Sequence, residues 1–179
     1  MYLRFVWNRL HPRVAAEAGM FQAYWALLDR IEPTLFDQVR PWRQVPRDRM
    51  LRRRWLALRD AAAAFADMDA PEMRGPRRLR GAKAALFWFP ARAALPKSQP
   101  GTVVLAARAM AWELARWDVE IREITTRSPG EILWCDPHQV LARPTEPVPR
   151  AFRSHQAVSL KSSRPISMRR ISWVPAPIS

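Results

Sequence analysis

Val103, Ala107, Met110, Leu114, Trp117, Ile121 and Ile124 recur at alternating steps of four and three residues. That spacing follows the turn of an α-helix, places all seven on one face and predicts a helix over residues 102–126. So long an apolar stripe has to be covered, by other helices of the same chain or by a second copy in a coiled coil. With alanine at one core position, an intramolecular bundle is expected, and a homodimer through the 103–124 helix is the alternative. Asp118 with Arg122 and Glu123 with Arg127 are spaced to pair along its surface.

Two further stripes support the bundle. Val14, Ala18, Phe21, Trp25 and Leu28 follow Pro12 and predict a helix ending at Glu32, before Pro33. Residues 33–46 carry three prolines and read as a connector. Leu51, Trp55, Leu58, Ala62 and Phe65 then mark a helix from the N-cap Asp48 to Asp69. A short helix is expected over residues 77–89, between Gly75 and Pro90. Ser128, Pro129 and Gly130 stop the long helix, Ile132–Cys135 is a short strand or core-capping coil, and Asp136–Pro137 opens a short helix through Ala142. From Pro144 onward periodicity is lost among six prolines and seven serines. The expected fold is all-α: a small bundle of about four helices over residues 1–146, with a disordered basic tail over 147–179.

An apolar fraction of 49% supplies a core for one domain. Cys135 is the sole cysteine, so no intrachain disulfide forms. Arg4, Asn8 and Arg9 interrupt the first ten residues, which lack the apolar stretch of a signal peptide. The longest apolar run, Ala84 to Phe89, is far short of the roughly 20 residues that cross a bilayer. A cytoplasmic protein is the expectation.

The net charge of +14 is segregated. Residues 1–39 and 84–146 are each neutral, whereas residues 40–83 hold 13 bases against five acids and residues 147–179 hold six bases and no acid. A uniformly basic surface would follow from GC-rich codon usage, which also accounts for 27 Arg against three Lys; a patch creates a local field that attracts a polyanion. On the second helix Arg49 and Arg53 point away from the stripe, with Arg52 and Arg59 on one flank. With Arg40, Arg43, Arg74, Arg77, Arg78, Arg80 and Lys83 they predict a surface for phosphate backbone, and Arg150, Arg153, Arg164, Arg169 and Arg170 extend it along the tail. Trp42, between Pro41 and Arg43, is the aromatic best placed to stack on a base.

No zinc-finger spacing, RNA-recognition signature or helix-turn-helix is present, so binding is expected without sequence preference. A helical adaptor using an apolar helix face, its charge reflecting composition alone, is the alternative. An anionic membrane surface is a weaker one, with Tyr2, Phe5 and Trp7 beside Arg4 and Arg9 as the contact, unless that start packs on the core as a strand or helix.

Catalytic chemistry is thin. Cys135 and His138 have the gap of half a zinc site, but only His11 and His155 remain among the histidines, so a buried, inert Cys beside a capped turn is the expectation. Glu113, Asp118, Glu120 and Glu123 each have a base at helical spacing, and five scattered glycines make no phosphate loop. Neither an enzyme nor a resident metal or cofactor is expected.

Overall fold

The computed structural model describes residues 1–11, 13–35, 49–69, 80–81, 84–96 and 99–152, the side chains of residues 32–35 excepted. In chain order these form β1 (Tyr2–Leu10), β2 (Glu17–Gly19), α1 (Met20–Leu35), α2 (Arg49–Ala63), β3 (Leu86–Pro90), α3 (Val103–Ala115), β4 (Ile121–Thr126), β5 (Glu131–Cys135) and β6 (Val140–Arg143). This overturns the all-α bundle. Six antiparallel strands make one sheet, with three helices among the described residues, an α/β fold.

β1 is the hub. One edge pairs with β4 from Tyr2 opposite Thr126 to Trp7 opposite Ile121. The other edge is shared between β3, with Leu3 opposite Phe89, and β2, with Val6 opposite Gly19. Beyond β3 lie β6 and then β5. Successive side chains of a strand point to opposite faces. Leu3 and Phe5 accordingly join the core under the helices, with Met20, Leu27, Leu58, Met110 and Leu114. Val6 faces the other way, against Leu86, Trp88, Ile124, Val140, Ala142 and Phe152. A strand buried on both faces carries no clean apolar–polar alternation, so β1 left little strand signal in the sequence.

The helix predicted over 102–126 is two elements. Thr102 caps α3, its hydroxyl accepting the Leu105 N–H, and the helix ends at Ala115. Asp118 then takes a left-handed φ of 59°, and the Val119 N–H returns to the Leu114 carbonyl at 3.1 Å. Beyond it, Val119, Ile121, Ile124, Thr125 and Thr126 are β-branched and suit a strand. Ile121 packs on the helix-side core and Ile124 on the opposite one, as residues three apart in a strand must. The expected surface pairs change with it. Glu123 accepts two bonds from Arg108 of α3, at 2.9 and 3.2 Å, and Arg122 pairs with Glu120.

The other short helices fail similarly. Residues 86–90 are strand β3, its side chains buried on both faces. The Asp136 cap is real: Oδ1 accepts the His138 and Gln139 N–H groups at 2.6 and 2.7 Å. It closes the turn of the β5–β6 hairpin, where Cys135 pairs with Val140, and residues 140–143 are strand. The first helix begins at Met20, after Val14 and Ala18, and Trp25 is 60% exposed rather than in the core.

Gly130, at the foot of that hairpin, has a φ of 107°. A Cβ there would lie 2.2 Å from the Arg143 carbonyl oxygen and 2.9 Å from Pro144 Cα. Gly101 shares the conformation, with a φ of 108°, but has nothing within 4 Å of that position. Gly101→Ala is expected to cost about 1–2 kcal/mol of dihedral strain, and Gly130→Ala at least about 3 kcal/mol because backbone must also move. Equal losses in chemical denaturation would refute the clash.

After β6 the chain crosses the sheet face opposite the helices, where Val148, Ala151 and Phe152 pack. The Glu17 carboxylate accepts the Phe152 and Ala151 N–H groups at 2.8 and 3.2 Å. Arg122 donates to the Ala151 carbonyl at 3.0 Å and lies over the Phe152 ring, 4.4 Å from its centroid. Packed chain thus continues beyond residue 147 and includes Phe152, the last described residue.

Candidate nucleic-acid interface

α2 is amphipathic and its two faces have separate tasks. Trp55 and Leu58 are buried in the helix-side core, with Leu51, Ala61 and Ala62 packed around them. At 100° per residue Arg49 and Arg53 lie opposite that stripe and Arg52 and Arg59 on one flank, about the partly exposed Leu56, and all four arginines are exposed. Arg54 is turned inward, its Nη1 reaching the Arg116 carbonyl at 3.5 Å just past the end of α3, where the helix dipole favours a cation. The Arg59 guanidinium lies over the Trp55 ring, 4.8 Å from its centroid, which orients the group without neutralising it.

None of these four outward arginines pairs with a carboxylate among the described residues. Arg108, Arg116, Arg122 and Arg143 behave differently, pairing with Glu123, Glu113, Glu120 and Glu131. Over its length α2 has five arginines and one acid, Asp60. The result is a ridge of positive charge on one helix with no carboxylate partner among the described residues.

Other predicted site residues are scattered. Arg80 is exposed in the turn with Gly81, which abuts Leu133 and Arg143 of the hairpin. Arg150 is exposed on the segment that crosses the far face of the sheet. Arg40, Trp42, Arg43, Arg74, Arg77, Arg78, Lys83, Arg153, Arg164, Arg169 and Arg170 lie outside the described residues. The structure thus brings together the four arginines of α2 and places Arg150 across the sheet from them.

Cys135 is exposed, contrary to expectation. His138 Nδ1 sits 2.8 Å from the Ala94 carbonyl, so the neutral ring donates there and leaves Nε2 as its acceptor. No hydrogen bond joins the two, and among the described residues no three His, Cys, Asp or Glu side chains gather as a metal site. The aromatic-basic start is strand β1: Phe5 is buried, and Arg9 stacks over Trp7 at 4.4 Å. No helix among the described residues is long and apolar enough to cross a membrane.

Arg4, a charged residue amid the apolar side chains of β1, and its neighbour Glu17 are each only 4% exposed, which no sequence pattern indicates. Their signal was faint: a single cation between Leu3 and Phe5, read as an interruption instead of a buried group. Compared with known proteins, the chain matches no protein family, no curated protein and no solved structure.

Proposed function

We propose that this protein binds the phosphate backbone of nucleic acid without sequence preference, through the outer face of α2. One observation carries it: four arginines are exposed together along a single helix that has one acid, with no carboxylate partner among the described residues. Unpaired guanidinium groups retain their donors for phosphate oxygens and pay no cost for breaking an ion pair. The basic residues at 40–47, 74–78 and 83, and those beyond Phe152 as an arm, lie outside the described residues and are proposed as further phosphate contacts. Because Val148 to Phe152 pack on the sheet, a truncation that isolates the arm belongs after Phe152.

Fluorescence anisotropy with two duplexes of unrelated sequence, titrated across salt, tests this. Equal affinities and a slope of log affinity against log salt of about −4 are expected if the four arginines each neutralise a phosphate at about 0.9 per contact. The arm makes the full chain steeper still, and its deletion flattens the slope by about 2. Absence of binding at low salt overturns the reading.

A second reading has its own support. The α3 stripe proposed for an adaptor is spent in the core, since Val103, Ala107, Met110 and Leu114 are buried. The opposite face nevertheless exposes Leu105 at 57% and Trp112 at 71%. An adaptor would meet its partner there, and light scattering that shows self-association abolished by Trp112→Ser, with no salt-dependent duplex binding, would favour it.

A further inference from the structure

Arg4 is buried in β1 with one guanidinium nitrogen unused. Nη2 donates to the Glu17 carbonyl at 2.6 Å, but Nη1 is buried with no hydrogen-bond partner. Burial lowers the Arg4 pKa to about 10, a shift opposed by the field of Glu17, so the group stays cationic at neutral pH. The Glu17 carboxylate is already engaged by the Ala151 and Phe152 amides. A cation with donors left over in a buried place requires an acceptor.

That place is the start of α1. The position a Cβ would take on Gly19, the residue before Met20, is 3.9 Å from Arg4 Nη2. Gly19 gives its own N–H to Gln22 Oε1 at 2.9 Å, yet has no side-chain oxygen to accept from the first-turn amides, and that turn contains no acid. Its φ is not in the left-handed region, so glycine is not required for conformation there; it is partly exposed, and a Cβ on it would come into ordinary contact with Arg4 Nη2 at 3.9 Å and Gln22 Oε1 at 4.0 Å. His11 lies in the same field: burial, then Arg4 and Arg13, push its pKa down. Its Nδ1 accepts the Arg13 N–H at 3.2 Å, which leaves the proton of the neutral ring on Nε2, a further donor.

We propose that Arg4 and the amides at the N-terminus of α1, reached past Gly19, bind a phosphoryl group, with His11 and Arg13 at the rim. A tetrahedral oxyanion has the acceptor that Arg4 Nη1 lacks, it can take the N–H groups of a first turn, which have no partner within the helix, and the helix dipole favours its charge. The site is distinct from the α2 face and does not depend on nucleic-acid binding there.

The test uses the full chain, with inorganic phosphate against chloride at equal ionic strength, followed by melting temperature and titration calorimetry. Phosphate is expected to raise the melting temperature saturably above chloride and to titrate a single site. Gly19→Ala should fold as the parent does, because its Cβ meets nothing nearer than 3.9 Å, and should weaken phosphate about tenfold by narrowing the approach. Arg4→Gln should abolish the effect. Ribose 5-phosphate run in parallel separates a free ion from the terminal group of a larger ligand, and either must weaken in Gly19→Ala. The joint reversal of Arg49, Arg52 and Arg53 to Glu should leave phosphate binding intact, so this site and the α2 interface fail separately. No gain over chloride, a gain unchanged by Gly19→Ala, or a gain lost with the α2 reversal overturns the proposal.

Discussion

Replacing Arg49, Arg52 and Arg53 together with glutamate is expected to abolish duplex binding at physiological salt and leave the fold intact. Losing three phosphate contacts flattens the log–log salt slope by about 2.7, and the new negative charges repel what the old ones attracted. Stability should barely change. All three side chains are exposed, none has a carboxylate partner among the described residues, and all lie in the first turns of α2, where acidic groups complement the helix dipole. A melting temperature within about 3 °C of the parent is therefore expected. Unchanged affinity and slope in this variant would remove α2 from the interface and leave the apolar face of α3 as the stronger surface.

This surface was legible in the sequence because one element decided it. The stripe of Leu51, Trp55 and Leu58 fixed which side of α2 is buried, and the positions of the arginines followed from helical geometry alone. The sheet was not legible for two physical reasons. β1, β3 and β6 are buried on both faces, so Leu86 to Phe89 and Val140 to Ala142 show runs of apolar residues without a period of two. In β4, the spacing of Ile121 and Ile124 continued the helical stripe of α3 by coincidence, and only the β-branched composition marked the change. The helix stop at Asp118 carried no glycine to announce it, since here an aspartate takes the left-handed conformation. Arg4 was illegible for a further reason: nothing in a linear sequence identifies the partner of a buried charge, and Glu17 and the amides it holds are brought together only by the fold.

That buried charge gives the largest stability effect to be expected from a single polar substitution. Glu17 is 4% exposed, its charge favours the Arg4 cation, its backbone carbonyl accepts from Arg4 Nη2, and its carboxylate accepts the backbone N–H groups of Ala151 and Phe152. Glu17→Ala removes the compensating charge from a buried cation and strands two amides at once. Leaving a buried charge uncompensated typically costs about 3–5 kcal/mol, because that charge stays desolvated. The loss should be local before it is global, since the last described residues have few other ties: Arg122 on the Ala151 carbonyl and the Phe152 ring in the far-face core. Hydrogen exchange at the Ala151 and Phe152 amides should accelerate even where β1 remains protected. A double variant, Arg4→Leu with Glu17→Ala, should recover part of the loss, because no unpaired charge is then left inside. If Glu17→Ala melts as the parent does, or if the double variant loses the full sum of the two single changes, the pair is not what fixes the far-face segment to the sheet, and Phe152 packing alone must hold it.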